Sequence, residues 1–172
     1  HIECVGVLHH LGNHRRGWQE LVDALRPGGT LHAGVYSQVA RLMVVRLRKL
    51  IADEQITGSD FDIRRFRPRL ADPTIGGWLD DEEMGDLATL GMTRDLLFHP
   101  QEHHYPLAEI EAITTGAGVT LLGAVVPQQV SRASRHRTGA ALLPIRTFAQ
   151  WRDLEWAYAG SLAMFEGWFQ RA

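Results

Sequence analysis

His1-Ile-Glu-Cys-Val-Gly-Val-Leu-His-His-Leu11 is the stretch on which the reading of the fold turns. Within it, Ile2-Glu-Cys-Val5 is short, carries β-branched residues and is closed by Gly6, the pattern of a strand ending at a sheet edge. Outward from there, Gly17 to Arg26 places Trp18, Leu21, Val22 and Leu25 on one stripe of a helix. Pro27-Gly28-Gly29 stops that helix, because proline cannot continue it and glycine accepts a left-handed cap. Thr30-Leu-His-Ala-Gly-Val-Tyr36 then reads as a second buried strand. Strand, helix and strand make a βαβ unit, so the two strands are expected to run parallel.

Further along, Ser37 reads as an N-cap leading into a helix over Val39 to Asp53, with Arg41, Arg46, Arg48 and Lys49 on one side. A second helical stretch spans Asp60 to Ala71, although Pro68 works against its C-terminal part. A third is expected over Asp80 to Leu90. These segments interrupt the α/β alternation and read as an inserted helical cap. The alternation resumes with a helix over Pro106 to Ile113, ended by Gly116-Ala-Gly118, and a strand over Val119 to Val126. Residues 127–142, rich in serine and arginine after Pro127, read as a mobile loop. Phe148 to Met164 is helix-like, and Glu166-Gly-Trp-Phe-Gln-Arg171 suits a final strand. The expected organisation is a core part over 1–36, a helical cap over 37–105 and a helix-strand remainder of the same core over 106–172.

Composition narrows the function classes. The chain has 172 residues, 45% hydrophobic and 22% charged, enough apolar material for a core. A formal net charge of −2 supplies no field toward nucleic acid or anionic lipid. The arginine runs at 64–69 and 132–137 read as solvated faces, and no aromatic interleaving suggests a nucleic-acid platform. One cysteine, Cys4, excludes an internal disulfide, and no apolar run suits a membrane span. A reducing cytoplasm is the expected setting. Because the sequence opens directly on a core strand without Met, it reads as a piece of a longer polypeptide.

The turn Gly6-Val-Leu-His-His-Leu11, then a helix, then Leu25-Arg-Pro-Gly-Gly-Thr-Leu31, resembles the second half of class I S-adenosylmethionine-dependent methyltransferases. Later stretches are similar to bacterial methyltransferases joined to tetratricopeptide repeats: Tyr36-Ser37 with Ala40-Arg41, Ile63-Arg-Arg-Phe66, Gly91 to His103, and Phe165-Glu-Gly-Trp-Phe-Gln170. The resemblance implies an α/β fold, the C-terminal half (strands four to seven) of a Rossmann-like methyltransferase sheet with an inserted helical cap. It implies S-adenosylmethionine as cofactor, an unknown methyl acceptor and tetratricopeptide repeats in the same polypeptide. The family's Gly-rich loop has no counterpart, since no G-x-G-x-G occurs here. The chain by itself is therefore expected to hold the cofactor poorly. The alternative is a non-catalytic methyltransferase-like interaction module.

Ligands of open α/β sheets sit beyond the carboxyl ends of the strands. The resemblance accordingly sets Val5, Gly6 and Val7 against the cofactor and His9 and His10 near the reacting methyl. Methyl transfer needs acceptor and methyl held in line, and a base when the acceptor must lose a proton. An imidazole titrates in the right range. The competing reading makes His10 a structural residue of the turn and His9 a partly exposed helix start. Tyr36 either closes over the acceptor and meets the sulfonium through its ring, or packs under the cap. Glu102 and His103 belong to a polar cluster expected on a cap loop lowered over the acceptor. The formal H-x-x-E-H match at His99 to His103 is broken by Pro100. His9, His10 and His14 hint at a metal cluster, but no cysteine or carboxylate completes a ligand spacing, so no metal is expected.

Overall fold

Apolar residues at alternate positions of Thr30–Tyr36 make this the strand on which the sheet is built. The computed structural model describes residues 1–77, 79, 84–85, 87–159 and 161–172. Its strands are β1 (Ile2–Val5), β2 (Thr30–Tyr36), β3 (Val119–Ala124) and β4 (Met164–Arg171). The helices among the described residues are α1 (His14–Ala24), α2 (Leu42–Asp53), α3 (Asp60–Phe66), α4 (Leu90–Phe98), α5 (Leu107–Gly116), α6 (Gln128–Thr138) and α7 (Phe148–Ala157). The sheet runs β1-β2-β4-β3. β1 and β2 are parallel, Ile2 opposite Leu31 and Val5 opposite Gly34, as the βαβ reading requires. β4 is antiparallel to both its neighbours. This mixed sheet with its helices is the α/β class expected for part of a methyltransferase-like fold.

The chain forms two compact units, residues 1–40 with 101–172, and residues 41–100. In the sheet unit, Leu31, Ala33, Val35, Phe165, Phe169, Val119 and Leu121 face a core filled by Trp18, Val22, Ile110, Val130, Trp151 and Leu154. Gly167 lies between Phe165 and Phe169 on that face. A Cβ there would come within 3.0 Å of Trp151 Cη2, so the missing side chain lets the indole lie against the strand. The other face carries His32, whose ring stacks on Trp168 at 4.4 Å and whose Nε2 lies 2.8 Å from Glu166. At the C-terminus of α1, Arg171 Nη1 donates to the carbonyls of Val22, Asp23 and Leu25 at 3.0, 3.1 and 2.6 Å. These are groups a helix end leaves without partners.

The helical unit packs Val44, Leu47, Ile51, Phe66, Leu70, Leu87, Leu96 and Leu97 together. Arginines tie its segments. Arg48 donates to the Leu96 carbonyl at 3.1 and 2.6 Å, Arg67 to Ala88 O at 2.7 Å and Arg94 to Gly58 O at 3.1 Å. Arg69 pairs with Glu54. The run at 64–69 is thus only partly a solvated face.

Several boundaries differ from the sequence reading. Ser37 Oγ does accept from Ala40 N at 3.3 Å, but this closes a turn, and α2 begins at Leu42. The helical stretch from Asp60 tightens into a 3₁₀ turn over Arg67–Ala71 at Pro68. Five of the eleven residues of the helix expected over Asp80 to Leu90, namely 80–83 and 86, lie outside those described. Leu90 opens α4, whose first turn is capped by Thr89 accepting from Met92 N at 3.2 Å. Residues 127–142 are not simply a loop, because they contain α6. Pro127 precedes it, Gly139 ends it at φ 73°, and Val130 and Ser134 are buried along one face. The helix from Phe148 stops at Ala157, opened by a capping box of Thr147 and Gln150. No helix among the described residues is long and apolar enough to cross a membrane.

Candidate functional site

Because β1 and β2 are parallel, their carboxyl ends, Val5 and Tyr36, finish at the same edge of the sheet. Gly6 takes φ +79°, a conformation that favours glycine, and its N–H donates to Gly34 O at 3.1 Å. A single 3₁₀ turn over Leu8–His10 follows. Residues 101–105 run beside this edge and are fastened to it. His103 N donates to His9 O at 2.7 Å, Tyr105 N to Tyr36 O at 2.9 Å, and Gln38 N to Tyr105 O at 2.9 Å. This segment, read from sequence as the end of the cap, therefore bonds into the sheet unit.

The fastening gathers His9, His10, Tyr36, Glu102 and His103 in one place. The His9 ring lies on Tyr36 at 3.8 Å, and His10 meets His9 edge-on at 4.3 Å. His9 is 0% exposed, so the reading of it as a partly exposed helix start does not hold, and His10 is half-buried. The turn sends Leu8 and His9 inward together. His10 Nδ1 lies 3.3 Å from Gln101 O. A carbonyl only accepts, so this contact has the proton on Nδ1. The Glu102 side chain is buried, its carboxylate 2.6 Å from His104 Nε2. Val5 is half-buried and Val7 exposed, with open space where a Gly6 Cβ would stand.

Glu109 and Arg15 escaped the sequence reading, as did the grouping of His14 with His103. His103 Nε2 donates to Glu109 Oε2 at 2.9 Å, Arg15 Nη2 to Glu109 Oε1 at 2.6 Å, and the His14 ring stacks on His103 at 3.9 Å. Asn13 caps α1 through Arg16 N, which sets His14 at the head of the helix. Pro106 starts α5, which brings Glu109 in its first turn back toward His103. Only the fold brings positions 14, 103 and 109 together, so no local motif announces them. His9, His10 and His14, weighed in the sequence as a hint of a metal cluster and set aside, do not group together: among the described residues His14 groups with His103 and Glu109. His99 closes α4 while His103 lies in the extended segment, so no helix carries the H-x-x-E-H pattern.

The electrostatics follow the burial. Burial pushes the Tyr105 hydroxyl up to about 12. Burial, and then the neighbouring His103, push His14 below its ordinary range. Burial alone would raise Glu109, but the His103 hydrogen bond and the charges of His103 and Arg15 leave it below the usual carboxylate value. Burial raises Glu155 despite the hydroxyl of Ser37, which donates to Glu155 Oε1 at 3.2 Å.

No protein-family description matches the chain. An uncharacterised protein of Synechococcus sp., syc1184_c, is 30% identical over 134 residues, covering 71% of this chain and 31% of that protein. PKMT2 from Rickettsia typhi superposes over 97% of this chain and 34% of its own, with TM-score 0.65 and 9% identity. The same protein in complex with AdoHcy gives TM-score 0.67 at 10% identity, again over 97% and 34%. The chain thus spans about a third of the length of these relatives. At such identity the likeness is one of fold.

Proposed function

We propose that this chain is part of an S-adenosylmethionine-dependent methyltransferase, contributing one wall of the cofactor crevice and groups around the methyl acceptor. The observation that carries this reading is the fold likeness over 97% of the chain to a protein solved with AdoHcy. AdoHcy is what remains of S-adenosylmethionine after its methyl has been given away. The local geometry is compatible with the cofactor: Gly6 leaves open space beside the end of β1, and Val5, Gly6 and Val7 would lie along it.

When bound, the cofactor supplies an electrophilic methyl on a sulfonium. The chain's own residues then orient and deprotonate the acceptor. His10 Nε2 carries the lone pair that takes a proton, and the Gln101 carbonyl holds the ring in that tautomer. His9 and Tyr36 form the stacked floor beneath it. Glu102, bonded to His104, and His103, bonded to Glu109, act by fixing the segment beside the turn. The reading is tested by titrating S-adenosylmethionine into the full-length polypeptide by calorimetry and following transfer of a labelled methyl. Saturable binding together with loss of transfer in His10→Gln is expected. Absence of cofactor binding overturns the reading and leaves a non-catalytic interaction module.

A further inference from the structure

We infer that His14, His103 and Glu109 form a binding site for a divalent transition-metal ion of the zinc type. Among the described residues, one ligand atom from each of these three side chains lies within 4.8 Å of the other two. The His14 and His103 rings now stack at 3.9 Å and 14°, so closing on one ion, with metal–nitrogen and metal–oxygen bonds of about 2.0–2.2 Å, requires one ring to swing out of the stack until both lone pairs converge. Two imidazoles and one carboxylate are a donor set for zinc, cobalt or iron(II), whereas magnesium and calcium prefer oxygen donors alone.

A second observation is independent of the spacing. His14 Nδ1 is buried and has no hydrogen-bond partner among the described residues. An orphaned buried ring nitrogen is costly, and a metal ion would give it a partner. The backbone supports the arrangement from three sides: α1 begins at His14, α5 carries Glu109 in its first turn, and His103 N is held by His9 O at 2.7 Å. Arg15 takes only Oε1 of Glu109, while Oε2 faces the imidazole of His103. The Arg15 side chain is 64% exposed, so water screens much of its repulsion toward a cation. The ion would replace the proton now shared between His103 Nε2 and Glu109 Oε2.

The site shares His103 and Glu109 with the segment that flanks the candidate methyl-transfer site, but its test uses neither cofactor nor acceptor. Cobalt(II) is titrated into the purified protein while its visible d–d absorption is followed. A saturable band at one ion per chain, displaced by zinc but not by magnesium, is expected. Glu109→Gln and His103→Ala should each weaken cobalt binding roughly tenfold or more, with circular dichroism reporting that the variants are folded. His32→Gln, on the opposite face of the sheet, should leave it unchanged. In the unmutated protein, paramagnetic cobalt should shift the ring protons of His14 and His103 and leave those of His32 in place. No saturable band, a band indifferent to Glu109→Gln and His103→Ala, or shifts centred on other histidines would overturn the site.

Discussion

The two compact units hold themselves together by different means. The sheet unit relies on register: β4 pairs with β2 and β3 on either side, and an aromatic core of Trp18, Trp151, Phe165 and Phe169 fills the covered face. Among the described residues the helical unit has a smaller, mostly aliphatic core with Phe66 as its buried aromatic, and arginine side chains on backbone carbonyls tie its segments. Strand pairing fixes the backbone of every residue along its length, and β1 and β2 end at one edge as paired neighbours. Single arginine contacts fix points, and the intervening chain follows packing. The candidate chemistry accordingly gathers on the sheet unit.

This contrast can be broken first at Trp151, which meets Phe165 edge-on at 5.6 Å over Gly167. Trp151→Ala should cost about 3–5 kcal/mol by urea denaturation, the range for deleting a buried indole. A loss below about 1 kcal/mol would mean that register alone carries the sheet unit. In the helical unit, Arg48→Met should cost about 1.5–3 kcal/mol, because the Leu96 carbonyl loses a charged donor. If that variant melts like the parent, the arginine ties are ornamental and the aliphatic core suffices.

A smaller effect concerns pH. His14 has a folded-state value below its ordinary 6.5, so the unfolded chain takes up the proton first and stability falls as pH drops below 6.5. Glu109, depressed below its ordinary 4.5, adds stability above that value and loses it on further acidification. Both act in one direction, so Tm should decline from pH 7 toward pH 4. His14→Asn should flatten the upper part of that decline, and an unchanged slope would remove His14 from the account. The smallest effect is expected at Glu155, whose raised value means that stability is lost as pH rises through it. Glu155→Gln should raise Tm at pH 7 by at most about 2 °C, and a fall would show that the ionised carboxylate is favourably held.

Legibility followed a different division, between local signals and contacts distant in sequence. Thr30–Tyr36 and the parallel βαβ unit could be read because alternation and the Pro27-Gly28-Gly29 stop are local signals. The cluster of His9, His10 and Tyr36 was legible because strand ends meet at one edge of a parallel pair. What stayed hidden depends on contacts distant in sequence. Glu109 meets His103 only because Pro106 turns the chain into α5, and Arg48 reaches Leu96 from a helix 48 residues away. The miss at α6 is of another kind. Pro127 before it and Gly139 after it were visible punctuation, outweighed by the polar composition between them.

The strand order bears on how the protein comes into being. β4 separates β2 from β3, yet it is the last of the four strands to be synthesised. On a ribosome, β2 and β3 therefore wait without their shared neighbour until residues 164–171 emerge. Arg171, which satisfies the carbonyls at the end of α1, arrives in the same interval. During that wait β2 presents one unpaired edge and the aromatic core lacks Phe165 and Phe169, a combination that invites wrong partners. Nascent chains should be held by chaperones up to this point and released once β4 has slotted in.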